Sequence, residues 1–172
     1  TSPYITHLFA VAAIVGENGG DEDQLIAAIL HDYLEDIEGA DADALEAKFG
    51  PRVRRFVEAL TDATTHPKPE WRPRKEKYVA HLVAESADVK LISAADKLHN
   101  CRAIRADFAR MGPTIFDRFT GKRDGTLWYY RAVTEALQTG WAHPLAAELA
   151  AEVRALHADA GEVLTPEWGQ SQ

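Results

Sequence analysis

Apolar residues recur at helical spacing along most of the chain. The clearest case follows Asp21, where six apolar side chains repeat at intervals of three and four residues: Leu25, Ile26, Ile29, Leu30, Tyr33 and Leu34. Asp21 is suited to cap this helix, which the pattern extends to about residue 37. No pair of segments alternates between apolar and polar residues as strands do. The pattern therefore predicts an all-α chain.

Glycine and proline separate the remaining predicted helices, which cover about 4–15, 41–48, 51–61, 74–85, 88–111, 126–139 and 144–160. Residues 62–73 contain three prolines and are predicted to be a loop, and residues 114–123 are left unassigned. The start of the 88–111 helix is apolar on more than one face, which indicates a central, buried helix. We expect one domain over residues 1–160 and a frayed tail over 161–172.

Composition narrows the class of protein. The 172 residues are 46% hydrophobic and 27% charged, which is typical of a globular domain. With 19 basic and 27 acidic residues the net charge is −8, which argues against a nucleic-acid coat or a membrane-surface protein. The single cysteine, Cys101, excludes an internal disulfide and a multi-cysteine zinc site. No signal-peptide or membrane-spanning pattern is present, so we expect a cytoplasmic protein of undetermined oligomeric state.

Ionisable residues interrupt the apolar pattern first at residues 31–36. In a continuous helix, Glu35 lies one turn from both His31 and Asp32, and Asp36 lies one turn from Asp32. The four side chains would then share an arc of about 140°. Three carboxylates this close repel one another unless a positive charge lies among them, and a divalent cation would supply it.

A second carboxylate site occurs within the predicted central helix. Asp96 follows an apolar run, and Asn100 lies one turn further on the same side. A buried carboxylate is costly without a partner. With His7, His31 and Asp32, Asp96 makes a set of two imidazoles and two carboxylates. This mixed set suits Mn²⁺, Fe²⁺ or Zn²⁺ better than Ca²⁺.

Water bound to such an ion has a lowered pKa and becomes a nucleophile near neutral pH. Glu35 and Asp36 would orient this water or move its proton. Taken singly, each residue of the set also has a structural explanation, such as a hydrogen-bonded core histidine or a solvated helix end. The complete set at this spacing favours the metal site.

The spaced set resembles the HD-domain metal-dependent phosphohydrolases, and more narrowly the RelA/SpoT-type hydrolases of guanosine 3′,5′-polyphosphates (ppGpp and pppGpp). The matching segments are Tyr-Ile-x-His at 4–7, His-Asp-x-x-Glu-Asp at 31–36 and Ala-Asp-Lys-Leu-x-Asn at 95–100. The similarity covers residues 3 to about 110. The Glu-Asp pair after His-Asp is the feature that narrows the general HD class to this branch.

The resemblance implies a compact HD-domain helical bundle that holds one divalent metal, Mn²⁺ first, with Fe²⁺ and Zn²⁺ as alternatives. It implies that the metal ligands are His7, His31, Asp32 and Asp96. Glu35 and Asp36 match the pair that activates water, and Asn100 matches a nucleotide contact. The implied reaction is release of pyrophosphate from the 3′ position of a small nucleotide, which leaves GDP or GTP.

Because the chain has a net charge of −8, a site that binds phosphate groups requires local cationic side chains. The candidates are Arg74, Lys75, Lys97, Arg102, Lys122 and Arg123, each of which could instead be a solvated surface charge. The first three, with Asn100, are the predicted substrate contacts. Trp71 or Tyr78 could stack on a base or belong to the core. His99 is predicted to lie behind the ligands, and His66, His81, His143 and His157 are predicted to have no role.

Two alternatives remain open at this point. The same chemistry could act on another nucleotide, such as a deoxynucleotide or NADPH, with phosphate or pyrophosphate as the product. The bundle could also be a non-catalytic regulatory module, although no ligand of the set is missing. Relatives have a basic residue and a helix before the Tyr-Ile-x-His segment. The chain begins without Met, so we expect a preceding segment, and the nucleobase preference is not assigned.

Overall fold

A computed structural model describes residues 3–65 and 67–170 of the chain. These residues form nine α-helices: α1 (Tyr4–Glu17), α2 (Glu22–Leu30), α3 (Tyr33–Asp36), α4 (Ala42–Phe49), α5 (Pro51–Leu60), α6 (Trp71–Val83), α7 (Ala87–Met111), α8 (Lys122–Gln138) and α9 (Pro144–Asp159). A 3₁₀ helix covers Gly112–Arg118. No strand occurs among them, so the all-α prediction is confirmed. Within the same residues, no helix combines the length and hydrophobicity that crossing a membrane requires.

Helix α7 is the centre of the bundle and packs against α1, α2, α5, α8 and α9. Ser86 caps its N-terminus by accepting a hydrogen bond from the amide of Val89. Every residue from 89 to 96 is buried, so this part of the helix has core on all sides, as the sequence predicts. The buried Lys90 Nζ donates to Val83 O (3.1 Å) and Thr139 O (2.5 Å). This lysine therefore joins the C-terminal ends of α6 and α8 to the central helix.

The prediction of one continuous helix from Asp21 to residue 37 is wrong. Asp21 does cap α2, in a capping box with Gln24, but α2 ends at Leu30 and α3 begins at Tyr33. The His31 side chain explains the break, because its Nδ1 lies 2.7 Å from Ala28 O. In a continuous helix, Ala28 O would instead accept a hydrogen bond from the backbone amide of Asp32. Residues 31 and 32 thus occupy a turn, and the single helical arc of ionisable groups does not form.

Two helix starts also differ from the prediction. Helix α6 begins at Trp71 rather than at 74. Pro73 is tolerated because it lies in the first turn, where backbone N–H groups have no hydrogen-bond acceptor within the helix. Helix α8 begins at Lys122, so Gly125 lies inside it rather than before it. A Cβ atom on Gly125 would lie 3.1 Å from the Trp71 ring, so this glycine lets the indole approach α8.

The tail after Gly161 is described as far as Gln170 and contacts the bundle. Trp168 Nε1 donates to Glu135 Oε1 (2.7 Å), and Gln138 Nε2 donates to Gly169 O (2.9 Å). Leu164 is buried. These contacts hold the tail against α8, where the sequence predicts a frayed end.

The contact between Trp71 and Gly121 gives a test of the packing. A Cβ atom at Gly121 would lie 2.6 Å from Trp71 Cη2 and 2.7 Å from Cζ2, which forces the indole to move. We expect Gly121→Ala to lower the free energy of unfolding by about 1–3 kcal/mol, as overpacking does, in a urea titration. The double variant with Trp71→Phe should lose less than the sum of the two single variants. Native stability of Gly121→Ala would contradict this packing.

Candidate metal centre

Three chain segments bring the four predicted ligand residues together. The ligand atoms of His7, His31 and Asp32 all lie within 4.8 Å of one another. Asp96 Oδ1 lies 3.2 Å from His7 Nε2 and 3.5 Å from His31 Nε2, so it joins the group through both imidazoles. His7 comes from α1, His31 and Asp32 from the turn after α2, and Asp96 from the buried half of α7.

His31 has the orientation of a metal ligand. Its Nδ1 donates to Ala28 O (2.7 Å), which leaves Nε2 to face the carboxylates. Nε2 is buried 3.3 Å from Asp32 Oδ2, yet no atom in the described part of the chain makes a hydrogen bond with it. A buried polar atom without a partner is rare in folded proteins. A cation between the two imidazoles and the carboxylates would satisfy it.

The two carboxylates make this place favourable for positive charge. Burial by itself lowers the pKa of His31, but the neighbouring carboxylates of Asp32 and Asp96 outweigh it and raise this pKa to about 10. A raised pKa means that the field at the imidazole favours the charged form. A divalent ion at Nε2 would supply two positive charges where a proton supplies one.

Asp96 is held by two neighbours on its own helix. Lys97 Nζ lies 2.5 Å from Asp96 Oδ2, and Asn100 Nδ2 donates to Asp96 Oδ1 (2.7 Å). Although burial opposes it, the charge of Lys97 and the two histidines hold the pKa of Asp96 well below its usual range. Lys97 and Asn100 are predicted to contact substrate, and in the structure both orient Asp96. The four-carbon chain of Lys97 is long enough to reach back across its offset on the helix.

Two aromatic residues complete the surroundings of the ligands. His7 Nδ1 lies 2.8 Å from His99 Nδ1, which places His99 behind the ligand as predicted. Burial and the nearby His7 lower the pKa of His99, so its neutral ring can accept a hydrogen bond from His7 Nδ1. The hydroxyl of Tyr4 donates to Asp32 Oδ2, and burial and this carboxylate raise the pKa of Tyr4. The sequence motif includes Tyr4 but assigns it no role.

Glu35 and Asp36 differ in their positions. Glu35 shares with His31, Asp32 and Asp96 a cavity of about 30 Å³, which is enough for a water molecule. Burial raises the pKa of Glu35, as does the charge of Asp62. Asp36 is exposed instead. Both carboxylates accept hydrogen bonds from Lys68 Nζ, each at 2.9 Å. Sequence analysis missed Lys68, because nothing in a proline-rich loop indicates which side chain turns inward.

The predicted phosphate contacts Arg74 and Lys75 share a buried carboxylate. Arg74 Nη1 lies 2.7 Å from Asp62 Oδ1, and Lys75 Nζ lies 2.5 Å from Asp62 Oδ2. Burial raises the pKa of Asp62, and the two cations outweigh it and lower this pKa below its ordinary value. Arg74 Nη1 is also 3.7 Å from Glu35 Oε1. Asp62 was missed as well, because its partners Arg74 and Lys75 lie 12 and 13 residues further along the chain.

The other candidates have structural contacts of their own. Arg102 pairs with Glu148, Arg123 contacts Asp124 and Ala160 O, and Lys122 donates to Asp117 O. Tyr78 is buried beside Ser93, and Trp71 packs on Trp128 and Tyr129. His81 lies within ion-pair distance of Glu85, and His143 accepts a hydrogen bond from the amide of Leu145. His157 donates to Leu127 O. His66 lies outside the described residues.

Comparison with protein families and curated sequences gives consistent matches. Residues 1–127 match the profile of a family described as HD domain. The guanosine-3′,5′-bis(diphosphate) 3′-pyrophosphohydrolase MESH1 of Mus musculus is 41% identical over 115 residues, 66% of this chain and 60% of the relative. The Homo sapiens MESH1 is 42% identical over 103 residues, 59% of this chain and 55% of the relative. The chain therefore spans less than two thirds of the length of these relatives.

Solved structures resemble the fold as a whole. One is a metazoan orthologue of SpoT that hydrolyses ppGpp. It has a TM-score of 0.72 and 28% identity, and the match covers 93% of this chain and 83% of that chain. Another, lmo0812 of Listeria monocytogenes EGD-e, has a TM-score of 0.79 and 24% identity, and the match covers 88% of this chain and 99% of that chain. The second likeness concerns the fold alone.

The position of Asp32 predicts an effect on metal content. We expect Asp32→Ala to remove bound metal from protein purified with Mn²⁺, as measured by elemental analysis, because a carboxylate ligand is lost. Asp36→Ala is the matched control. Its side chain contacts Lys68 and should leave the metal content unchanged. Full metal content in Asp32→Ala would contradict its assignment as a ligand.

Proposed function

The chain belongs to the HD domain family, and we propose that it is a metal-dependent phosphohydrolase that releases pyrophosphate from the 3′ position of ppGpp and pppGpp. The observation that carries this proposal is the group formed by His7, His31, Asp32 and Asp96. The last three of these residues share a small cavity with Glu35. The activity named for the curated relatives supports the choice of substrate.

A divalent metal is the cofactor expected for this family, and the donor set fits one. The proposed ligand atoms are Nε2 of His7, Nε2 of His31 and the carboxylates of Asp32 and Asp96. Two imidazoles and two carboxylates suit Mn²⁺, which we propose as the ion, with Fe²⁺ and Zn²⁺ as alternatives. When bound, the ion supplies Lewis-acid chemistry, which polarises a phosphoryl oxygen and lowers the pKa of water.

Glu35 is the residue that we propose to accept a proton from the attacking water. Its carboxylate lines the cavity beside the proposed ligands, and burial raises its pKa, which strengthens it as a base. Asp36 accepts a hydrogen bond from Lys68 Nζ, which also donates to Glu35. It would thus fix the lysine that holds the Glu35 side chain in place.

The phosphate groups of the substrate require positive charge near Glu35. Three cations lie there. Lys68 and Arg74 approach the Glu35 carboxylate, and Lys75 pairs with Asp62 beside it. We propose that these three cations face the 3′ phosphates. Asn100 and Lys97 would act through Asp96, whose carboxylate they orient.

The substrate assignment is tested with a nucleotide panel. We expect the purified protein with Mn²⁺ to convert ppGpp into GDP and pyrophosphate, and chelation with EDTA to abolish the activity until Mn²⁺ is restored. A deoxynucleoside triphosphate and NADPH, scored for phosphate and pyrophosphate, are the comparison substrates. Turnover of either one with ppGpp left intact would contradict the proposed substrate.

The role of Glu35 is tested by removing its charge. We expect Glu35→Gln to lower kcat by about 100-fold or more with the metal content unchanged, because a positioned proton acceptor is lost. Glu38→Gln is the matched control, since Glu38 is exposed three residues further on and should keep native activity. A Glu35→Gln variant of native activity would show that another group takes the proton.

A further inference from the structure

One turn of the central helix contacts both ring nitrogens of His7. Asp96 and His99 lie three residues apart on α7 and therefore share a face of that helix. Asp96 Oδ1 is 3.2 Å from Nε2 of His7, and His99 Nδ1 is 2.8 Å from Nδ1 of the same ring. Asp96 is a proposed metal ligand, whereas His99 has no part in the proposed reaction.

The short contact between the two histidines requires that one ring donates and the other accepts. A neutral imidazole carries its proton on one nitrogen, and the other nitrogen is the acceptor. A metal ion bound at Nε2 of His7, as in the proposed centre, requires that this nitrogen carries no proton. The proton of His7 then lies on Nδ1, and His99 Nδ1 accepts the hydrogen bond.

Packing around the His7 ring does not determine which of its nitrogens is protonated. The ring contacts the aromatic rings of Tyr4, His31 and His99, whose centroids are 5.6, 5.4 and 4.9 Å away. These contacts restrict the orientation of the ring, but an imidazole has nearly the same shape with its proton on either nitrogen. The hydrogen bond at Nδ1 is what distinguishes the two forms.

The other imidazole of the centre has the same arrangement with a different partner. Nδ1 of His31 lies 2.7 Å from Ala28 O, a backbone carbonyl that can only accept. Histidine ligands of metal ions commonly donate from their second ring nitrogen in this way, which fixes the ring and raises the basicity of the ligating nitrogen. For His7 the acceptor is the side chain of His99, which a substitution can remove.

We propose that His99 is a positioning residue that holds His7 with its proton on Nδ1, so that Nε2 is free to bind the metal ion. This inference rests on the metal centre of the proposed function and is independent of the substrate. A neutral acceptor also suits this place. The centre already contains the carboxylates of Asp32 and Asp96, and His99 orients His7 without adding to their repulsion.

The test uses two substitutions of similar shape that differ in the acceptor. In His99→Asn the side-chain oxygen is bonded to Cγ, as Nδ1 of histidine is, and can accept from His7. His99→Leu has a methyl group in that place. When Mn²⁺ is titrated into the metal-free protein by isothermal titration calorimetry, we expect His99→Leu to raise Kd by about 10–100-fold. His99→Asn should keep the native Kd.

His81→Leu is the matched control. His81 is an exposed histidine on α6 that lies beside Glu85, and its loss should leave the Kd for Mn²⁺ unchanged. The urea midpoint of each metal-free variant separates a loss of metal affinity from a loss of structure, and we expect native midpoints because His99 is only partly buried. His99→Ala, which removes the acceptor with a smaller side chain, takes the place of the leucine variant if that one does not fold.

Native Mn²⁺ affinity in His99→Leu would overturn the role of His99. An equal loss in His99→Leu and His99→Asn would overturn it too, because the ring and not its acceptor would then be required. The expected difference between the two variants, in a protein that leaves ppGpp intact, would overturn only the proposed substrate. Hydrolysis of ppGpp with an Mn²⁺ affinity that does not depend on residue 99 would overturn only the role of His99. A native protein that binds no Mn²⁺ would overturn both.

Discussion

Two carboxylates that face the same pair of imidazoles are the constraint on which the site depends. Asp32 and Asp96 approach His31 Nε2 to 3.3 Å and 3.5 Å inside the protein, where like charges repel strongly. Lys97 offsets one of these charges, and the raised pKa of His31 shows that the field still favours a cation. Taking charged groups out of water is costly unless they are paired. A bound metal ion would therefore offset the electrostatic repulsion between the two buried carboxylates.

The helices determine where this charge lies. The buried half of α7 places Asp96 in the core, and Lys90 fixes that half by joining the ends of α6 and α8 to it. Around the ligands, Lys68 and Asp62 connect the acid pair to the cations of α6. Glu35 lines the small cavity beside the ligands and accepts a hydrogen bond from Lys68. Glu35 would thus accept the proton of the attacking water next to the cations proposed to bind phosphate.

Local sequence predicted the parts of this arrangement that depend on neighbours in the chain. The cap at Asp21 and the central position of α7 follow from spacing and periodicity, whereas the grouping of His7 and Asp96 with the His31-Asp32 pair was predicted from the mixed donor set and the family resemblance. The continuous helix through His31 is wrong, because a side-chain hydrogen bond to Ala28 O competes with the backbone. Tyr4 and Lys68 were missed because their partners lie 28 and 33 residues away, a separation that periodicity does not report.

The most direct measurement is the anomalous scattering of Mn²⁺ in crystals of the metal-loaded protein. We expect one ion bound by Nε2 of His7, Nε2 of His31 and the carboxylates of Asp32 and Asp96, with Glu35 within reach of its water. An ion bound by Glu35 and Asp36 in place of the histidines, or the absence of any ion at this centre, would contradict it.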